Sequence, residues 1–236
     1  MIKTFLKRHL LLNKLFIAFF IATLFSFNSA GSFESILNGY KADELKYFSE
    51  VAFMSGKLRR WGEPIRISQE GKTATDIQYM EALVAELQPL LGNVPVSYVH
   101  TGGNLVIHYS RTIREYSRNY TGAESLPLGY AIPKFSSDNS LIYADIYLHP
   151  SLLNDKRNEV LIHEICHMLG LFDHPLTPFN EDNVMSAAIY KNKNNLITLP
   201  RLDKAALKLL YDHRMPKNLL KIDFLKKLAL LSGSKT

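Results

Sequence analysis

HEICHMLGLFDH, residues 163–174, places three histidines, two carboxylates and a glycine in twelve positions, and the fold follows from how that stretch is read. Histidines four apart on a helix share one face, about 5–6 Å apart at Cβ, so His163 and His167 can hold one small cation. Glu164 sits on the rim of the same face, where it can take a proton from an attacking water. Leu161, Ile165, Met168 and Phe172 fall on the opposite face and are expected to be buried. Gly170 marks the end of the helix, because glycine readily takes the left-handed conformation that turns the chain. Behind that turn the backbone heads back toward the metal face, and Asp173, three residues on, is the expected third donor. A zinc ion with three protein ligands keeps a fourth position for water. His174 is expected to point elsewhere, since side chains alternate along an extended segment, and it stays the alternative third ligand.

Outward from this helix, the apolar pattern changes period several times. Residues 32–54 read as one or two helices. PIRISQ from Pro64 reads as a strand, and TDIQYMEALVAELQPLLG as a helix with Ile77, Met80, Leu83, Val84 and Leu87 inward, Thr75 as cap and Gly92 just past its end. VPVSYVH from Val94, NLVIHYS from Asn104, LGYAIPKF from Leu128 and LIYADIYL from Leu141 have the β-branched and aromatic content of strands. After the metal-binding pattern, NEDNVMSAAIY places Met185 in a polar turn, where it can floor the site. LDKAALKLLY after Pro200 and KNLLKIDFLKKLALL from Lys217 read as amphipathic helices. One strand, one helix, four strands and a metal-bearing helix predict an α/β (α+β) fold, with a mixed β-sheet packed on that helix and further helices at the C-terminus.

Composition narrows the function classes. The chain has 236 residues, 47% apolar and 21% charged, ordinary for a folded globular protein. Its pI of about 9.2 and net charge of +6 suggest nucleic acid, but Lys3, Lys7, Arg8 and Lys14 supply four of those charges in a stretch with no acids. Residues 15–27 then form an apolar run that ends at the small-residue patch NSAGS, the pattern of a signal peptide. Residues 1–30 are therefore expected to direct export, or to anchor the chain in the inner membrane if uncleaved. Residues 31–215 are expected to form the catalytic domain and 216–236 a lysine-rich tail that packs on it or meets a membrane surface. No nucleic-acid partner is expected. The lone Cys166 forms no internal disulfide and reads as a small buried residue.

His163, Glu164, His167, Gly170 and Asp173 match the metzincin pattern HExxHxxGxx(H/D), and LGLFDH followed by NVMS resembles the snapalysin-type small neutral proteases. That resemblance implies a twisted metzincin sheet, His163, His167 and Asp173 as zinc ligands, Glu164 as general base, and Met185 as a Met-turn. It implies peptide or protein substrate bound along an edge strand, with LGYAIPKF in the corresponding place. Many metzincins carry a tyrosine two residues after the Met-turn methionine; Ala187 stands there, with Tyr190 the nearest phenol. RRWGEPIRIS and LPRLDKAALKLLYD also resemble a bacterial exported domain family of unknown function. The expected activity is that of an exported zinc-dependent metalloendopeptidase. The alternatives are a zinc-stabilised binding or assembly module without activity, and a metal hydrolase acting on cell-wall peptides. His149 at a strand end could line the cleft but is expected at the surface, His100 and His108 on strands are expected to be structural, and Trp61 with Arg59 and Arg60 is expected to pack the first strand.

Overall fold

Strict alternation along LIYADIYL places Leu141 and Ala144 on opposite faces, yet both are buried together with Ile146 and Leu148. A bulge accounts for it. Across the ladder Lys134 faces Tyr143 and Phe135 faces Leu141, which leaves Ile142 unpaired and exposed and shifts the inward phase by one residue. The resulting strand is the scaffold on which the helix carrying His163 and His167 lies.

The computed structural model describes residues 33–71, 74–109, 128–149, 152, 154–186 and 197–233. The chain divides into residues 1–39 and 40–236; in the first unit residues 33–37 are helical. The second unit begins with helix α1, Ala42–Val51, and the two-residue strands β1, Phe53–Met54, and β2, Lys57–Leu58. Then come β3, Ile65–Gln69, helix α2, Ala74–Leu87, and strands β4, Val96–Tyr98, and β5, Leu105–Tyr109. Strands β6, Gly129–Phe135, and β7, Leu141–Leu148, lead to helix α3, Asn154–Met168. Helices α4, Arg201–Leu210, and α5, Lys221–Gly233, follow.

The main sheet runs in the order β4-β3-β5-β7-β6. β3 pairs in parallel with β4 and β5, and β5 with β7, while β6 runs antiparallel to β7 at the edge. The expected mixed sheet and the sequence of one strand, one helix, four strands and a helix are both present. The β1-β2 hairpin was not expected, because two-residue strands carry no readable period. Its turn has positive φ at Ser55 (51°) and Gly56 (76°), the pairing that matches the twist of a tight hairpin.

Helix α3 packs on β6 and β7. The approach to the edge strand is close: a Cβ on Gly129 would lie 2.7 Å from Val160 Cγ1 and 3.1 Å from Glu164 Cγ, so only glycine lets β6 pass over the helix there. Helix α4 buries Leu202, Ala205, Ala206, Leu207, Leu209 and Leu210 and packs on α1. In α5, Phe224 is buried in a ring cluster with Phe48 and Phe53, centroids 5.2 and 5.5 Å away. Among the described residues no helix is long and apolar enough to cross a membrane.

Candidate metal centre

Helix α3 ends at Gly170, which has φ 109°. The Leu171 N–H donates to Cys166 O and the Gly170 N–H to His167 O, both at 3.0 Å, the paired bonds of a Schellman stop. A Cβ at Gly170 would lie 2.7 Å from Arg59 O and 2.8 Å from Leu210 Cδ2, so both backbone angle and space require glycine. Two buried side chains satisfy carbonyls that the helix end leaves over: Trp61 Nε1–H donates to Met168 O at 2.7 Å and the Tyr211 hydroxyl to Leu169 O at 2.9 Å. Trp61 thus caps the helix that carries His163 and His167. Beyond the turn, the Asp173 N–H donates to Val51 O at 3.0 Å and ties the loop to the end of α1.

This turn carries His174 to the two helix histidines. His163, His167 and His174 each present a ring nitrogen to one point, the three atoms lying within 4.8 Å of one another. His163 Nε2 is 3.1 Å from both His167 Nε2 and His174 Nε2, and the His174 ring stacks on His163 at 16°. Asp173, the expected third donor, is exposed at the cleft and is not in this cluster. Simple alternation from Gly170 fails because the segment is not freely extended: its N–H at 173 faces α1, and Leu171 O faces His167 Nδ1. The alternative third donor, His174, is the one the fold brings in.

The other nitrogen of each helix histidine is fixed. His163 Nδ1 is 2.8 Å from Val184 O, and His167 Nδ1 is 2.7 Å from Leu171 O. A carbonyl only accepts, so both Nδ1 atoms carry the proton and both Nε2 atoms present lone pairs. The 3.1 Å Nε2 contact between them is therefore two acceptors facing each other, an arrangement that a cation between them resolves. Ligands of a tetrahedral zinc with bonds of about 2.0–2.1 Å stand about 3.3 Å apart, close to the observed spacing. The group can hold a metal ion, and imidazole donors suit zinc, copper, iron and nickel.

Electrostatics favour the neutral, ligating form. Burial holds the His163 imidazole below its usual range, with the Val184 carbonyl opposing and His174 reinforcing. Burial, reinforced by the neighbouring His163 imidazole, pushes His167 down to about 3. Glu164 is buried beside them, and desolvation lifts its carboxyl to about 8. A nearby cation lowers such a value and restores the carboxylate.

The centre lies in a cleft of about 640 Å³ lined by Gly129, Tyr130, Ala131 and Pro133 of the edge strand, with Met54, Ser55 and Phe172 also on its walls. Met168 and Phe172, expected on the core face, both line it; Met168 is nonetheless 2% exposed, and Phe172 follows the glycine turn instead of continuing the helix. Ile165 and Leu161 are buried as expected, as is Cys166. Met185 is fully buried next to Val184, whose carbonyl holds His163. Ala187 and Tyr190 lie outside the described residues, as do residues 1–32. His149 and His100 do not line the cleft. His108 lies on β5, its ring between Glu70 Oε2 at 2.7 Å and Asp145 Oδ1 at 2.9 Å.

No family model and no curated protein matches the chain. Among solved structures, "Structure of myroilysin" is similar at 15% identity and a TM-score of 0.40, over 72% of this chain and 100% of that one. "Crystal structure of myroilysin" is similar at 13% identity and a TM-score of 0.35, over 71% of this chain and 96% of that one.

Proposed function

We propose that the chain is an exported zinc-dependent metalloendopeptidase, with His163, His167 and His174 as ligands and Glu164 as general base. The observation that carries this reading is the convergence of three imidazole nitrogens beside a buried carboxylate in an open cleft. Asp173 keeps a place at the cleft wall instead of the ligand role its spacing suggests. Zinc bound there supplies a Lewis acid for the scissile carbonyl and lowers the pKa of water.

The remaining work falls to the chain. The Val184 and Leu171 carbonyls hold the two helix imidazoles as Nδ1–H tautomers, so that each Nε2 lone pair is available. Glu164 accepts the proton of the attacking water at a carboxylate oxygen and returns it to the departing amine. Among the described residues strand β6 is the edge of the sheet, and it forms a wall of the same cleft, so an extended peptide laid along it crosses the centre. Export is supported by the charged and then apolar pattern of residues 1–30; cell fractionation with N-terminal sequencing tests it, and an intact cytoplasmic chain overturns it.

The activity is tested by comparing the zinc-loaded protein with Glu164→Gln on an unstructured protein and on muropeptides. Turnover by the wild type and a loss of roughly 10²–10⁴-fold in the variant, at equal zinc content, is the expected result. Cleavage of muropeptides alone reassigns the enzyme to cell-wall peptides. Zinc binding by both proteins with turnover by neither overturns the peptidase reading in favour of a zinc-stabilised binding module.

A further inference from the structure

Behind the metal cluster lies a buried carboxylate that the chemistry above does not use. Asp203, on the first turn of α4, is fully buried. Its Oδ1 accepts from the Tyr47 hydroxyl of α1 at 2.5 Å, and its Oδ2 accepts from the Val184 N–H at 2.8 Å. Tyr47 of α1 and Asp203 of α4, two helices distant in sequence, thus hold the Val184 N–H from one side. On the other side, Val184 O takes the His163 Nδ1–H at 2.8 Å. A single peptide segment therefore connects Asp203 to a metal-binding imidazole.

A carboxylate buried among apolar neighbours is costly unless its oxygens are hydrogen-bonded, and here the bonds from Tyr47 and Val184 meet one on each oxygen. Many sequences could join α1 to α4 with apolar side chains at lower cost. What the carboxylate adds is position: it accepts from the Val184 N–H and so anchors the residue from which the carbonyl that takes the His163 Nδ1–H projects.

We propose that Asp203, supported by Tyr47, is a positioning residue that holds the tautomer and orientation of His163 through the Val184 main chain. It touches neither substrate nor metal. The inference rests on His163 being a ligand, but the tautomer part of it can be read without a metal.

The test uses the full chain as wild type, Asp203→Asn, Tyr47→Phe and, as a control, Leu209→Ala, which removes buried apolar contact from α4 away from the 184–185 segment. Long-range ¹H–¹⁵N correlation spectra of the chelator-stripped proteins report the tautomer of His163, and competition titrations report zinc affinity. In the wild type His163 is expected as one Nδ1–H tautomer. In Asp203→Asn, whose side-chain amide can accept from only one of the two donors, the tautomers mix and zinc affinity falls roughly 10–100-fold. Tyr47→Phe shifts both readouts the same way by less, and it serves if Asp203→Asn does not fold. Leu209→Ala lowers the melting temperature and moves neither readout.

A folded Asp203→Asn with a single tautomer and wild-type affinity overturns the proposal. So does a Leu209→Ala that mixes the tautomers as strongly, because the effect is then general loosening of α4. If the wild type binds no zinc while Asp203→Asn still mixes the tautomers, the metal reading falls and the Asp203 link stands.

Discussion

Two histidine clusters in this protein use the same ring in opposite ways. In the cleft, His163 and His167 each give Nδ1–H to a backbone carbonyl, and their Nε2 atoms meet at 3.1 Å. On β5, His108 has a carboxylate at each nitrogen, Glu70 at 2.7 Å and Asp145 at 2.9 Å, and its ring stacks on Tyr147. Burial opposes charge on both. For His108 the hydrogen bonds to Asp145 and Glu70 win and raise its pKa; for His167 only a carbonyl opposes, and the value falls to about 3. The difference teaches that the partner of the second nitrogen decides the role. A carbonyl leaves a neutral ring with a free lone pair for a metal, whereas two carboxylates make the proton itself the bound cation.

The largest effect that can break this contrast comes from the third donor. His174→Ala should reduce zinc affinity by more than the roughly 10–100-fold expected for losing a partner behind a ligand. Asp173→Asn should leave affinity within about threefold, since Asp173 stands outside the cluster and outer partners set the scale of smaller changes. Competition titration on both variants decides it. If Asp173→Asn loses the metal and His174→Ala keeps it, the cluster is assigned wrongly and the spacing-based ligand returns.

That reversal shows how much of the site was legible. The pair His163 and His167, the base Glu164 and the stop at Gly170 follow from helical spacing and glycine chemistry, and the strands of the main sheet from alternation and β-branched content. The placing of His174, and not Asp173, beside the helix histidines does not, because it depends on where α1 catches the Asp173 N–H, a contact across more than a hundred residues. The same holds for Trp61 and Tyr211, whose task is to receive the last carbonyls of α3. RRWGEPIRIS and LPRLDKAALKLLYD resemble a family of unknown function; in the fold Trp61 and Tyr211 from these stretches meet at the end of α3, and the Arg60 guanidinium donates to Leu210 O, Asp212 O and Met215 O at and beyond the end of α4. Side-chain-to-backbone bonds of this kind have no period in sequence.

A smaller effect sharpens the contrast by moving one cluster alone. Gly170→Ala forces a Cβ into Arg59 O at a φ of 109°, a strain of about 1–3 kcal/mol. The melting temperature should drop and zinc affinity should weaken, as the segment carrying Leu171 and His174 shifts. The His108 titration, followed by NMR in the same variant, should stay where it was, since β5 does not take part in that turn. A change in the His108 titration as large as the loss at the cleft shows the two clusters to be coupled through the sheet.

The smallest effect is read at His108 itself. A folded pKa raised above the unfolded value of about 6.5 contributes stability that is fully present below that unfolded value and is lost as pH rises through the folded one. His108→Gln carries no charge at any pH, so its deficit in melting temperature should be widest near pH 5.5 and close toward pH 9. With Glu70 mostly exposed, solvent screening keeps the deficit below about 1 kcal/mol. Thermal melts of both proteins across that range measure it. A deficit that does not change with pH makes the His108 bonds neutral ones, and the contrast between a proton-holding and a metal-holding histidine then reduces to the metal site alone. A deficit that closes with rising pH shows that two carboxylates hold a proton where the cleft histidines, turned by carbonyls, present bare nitrogens.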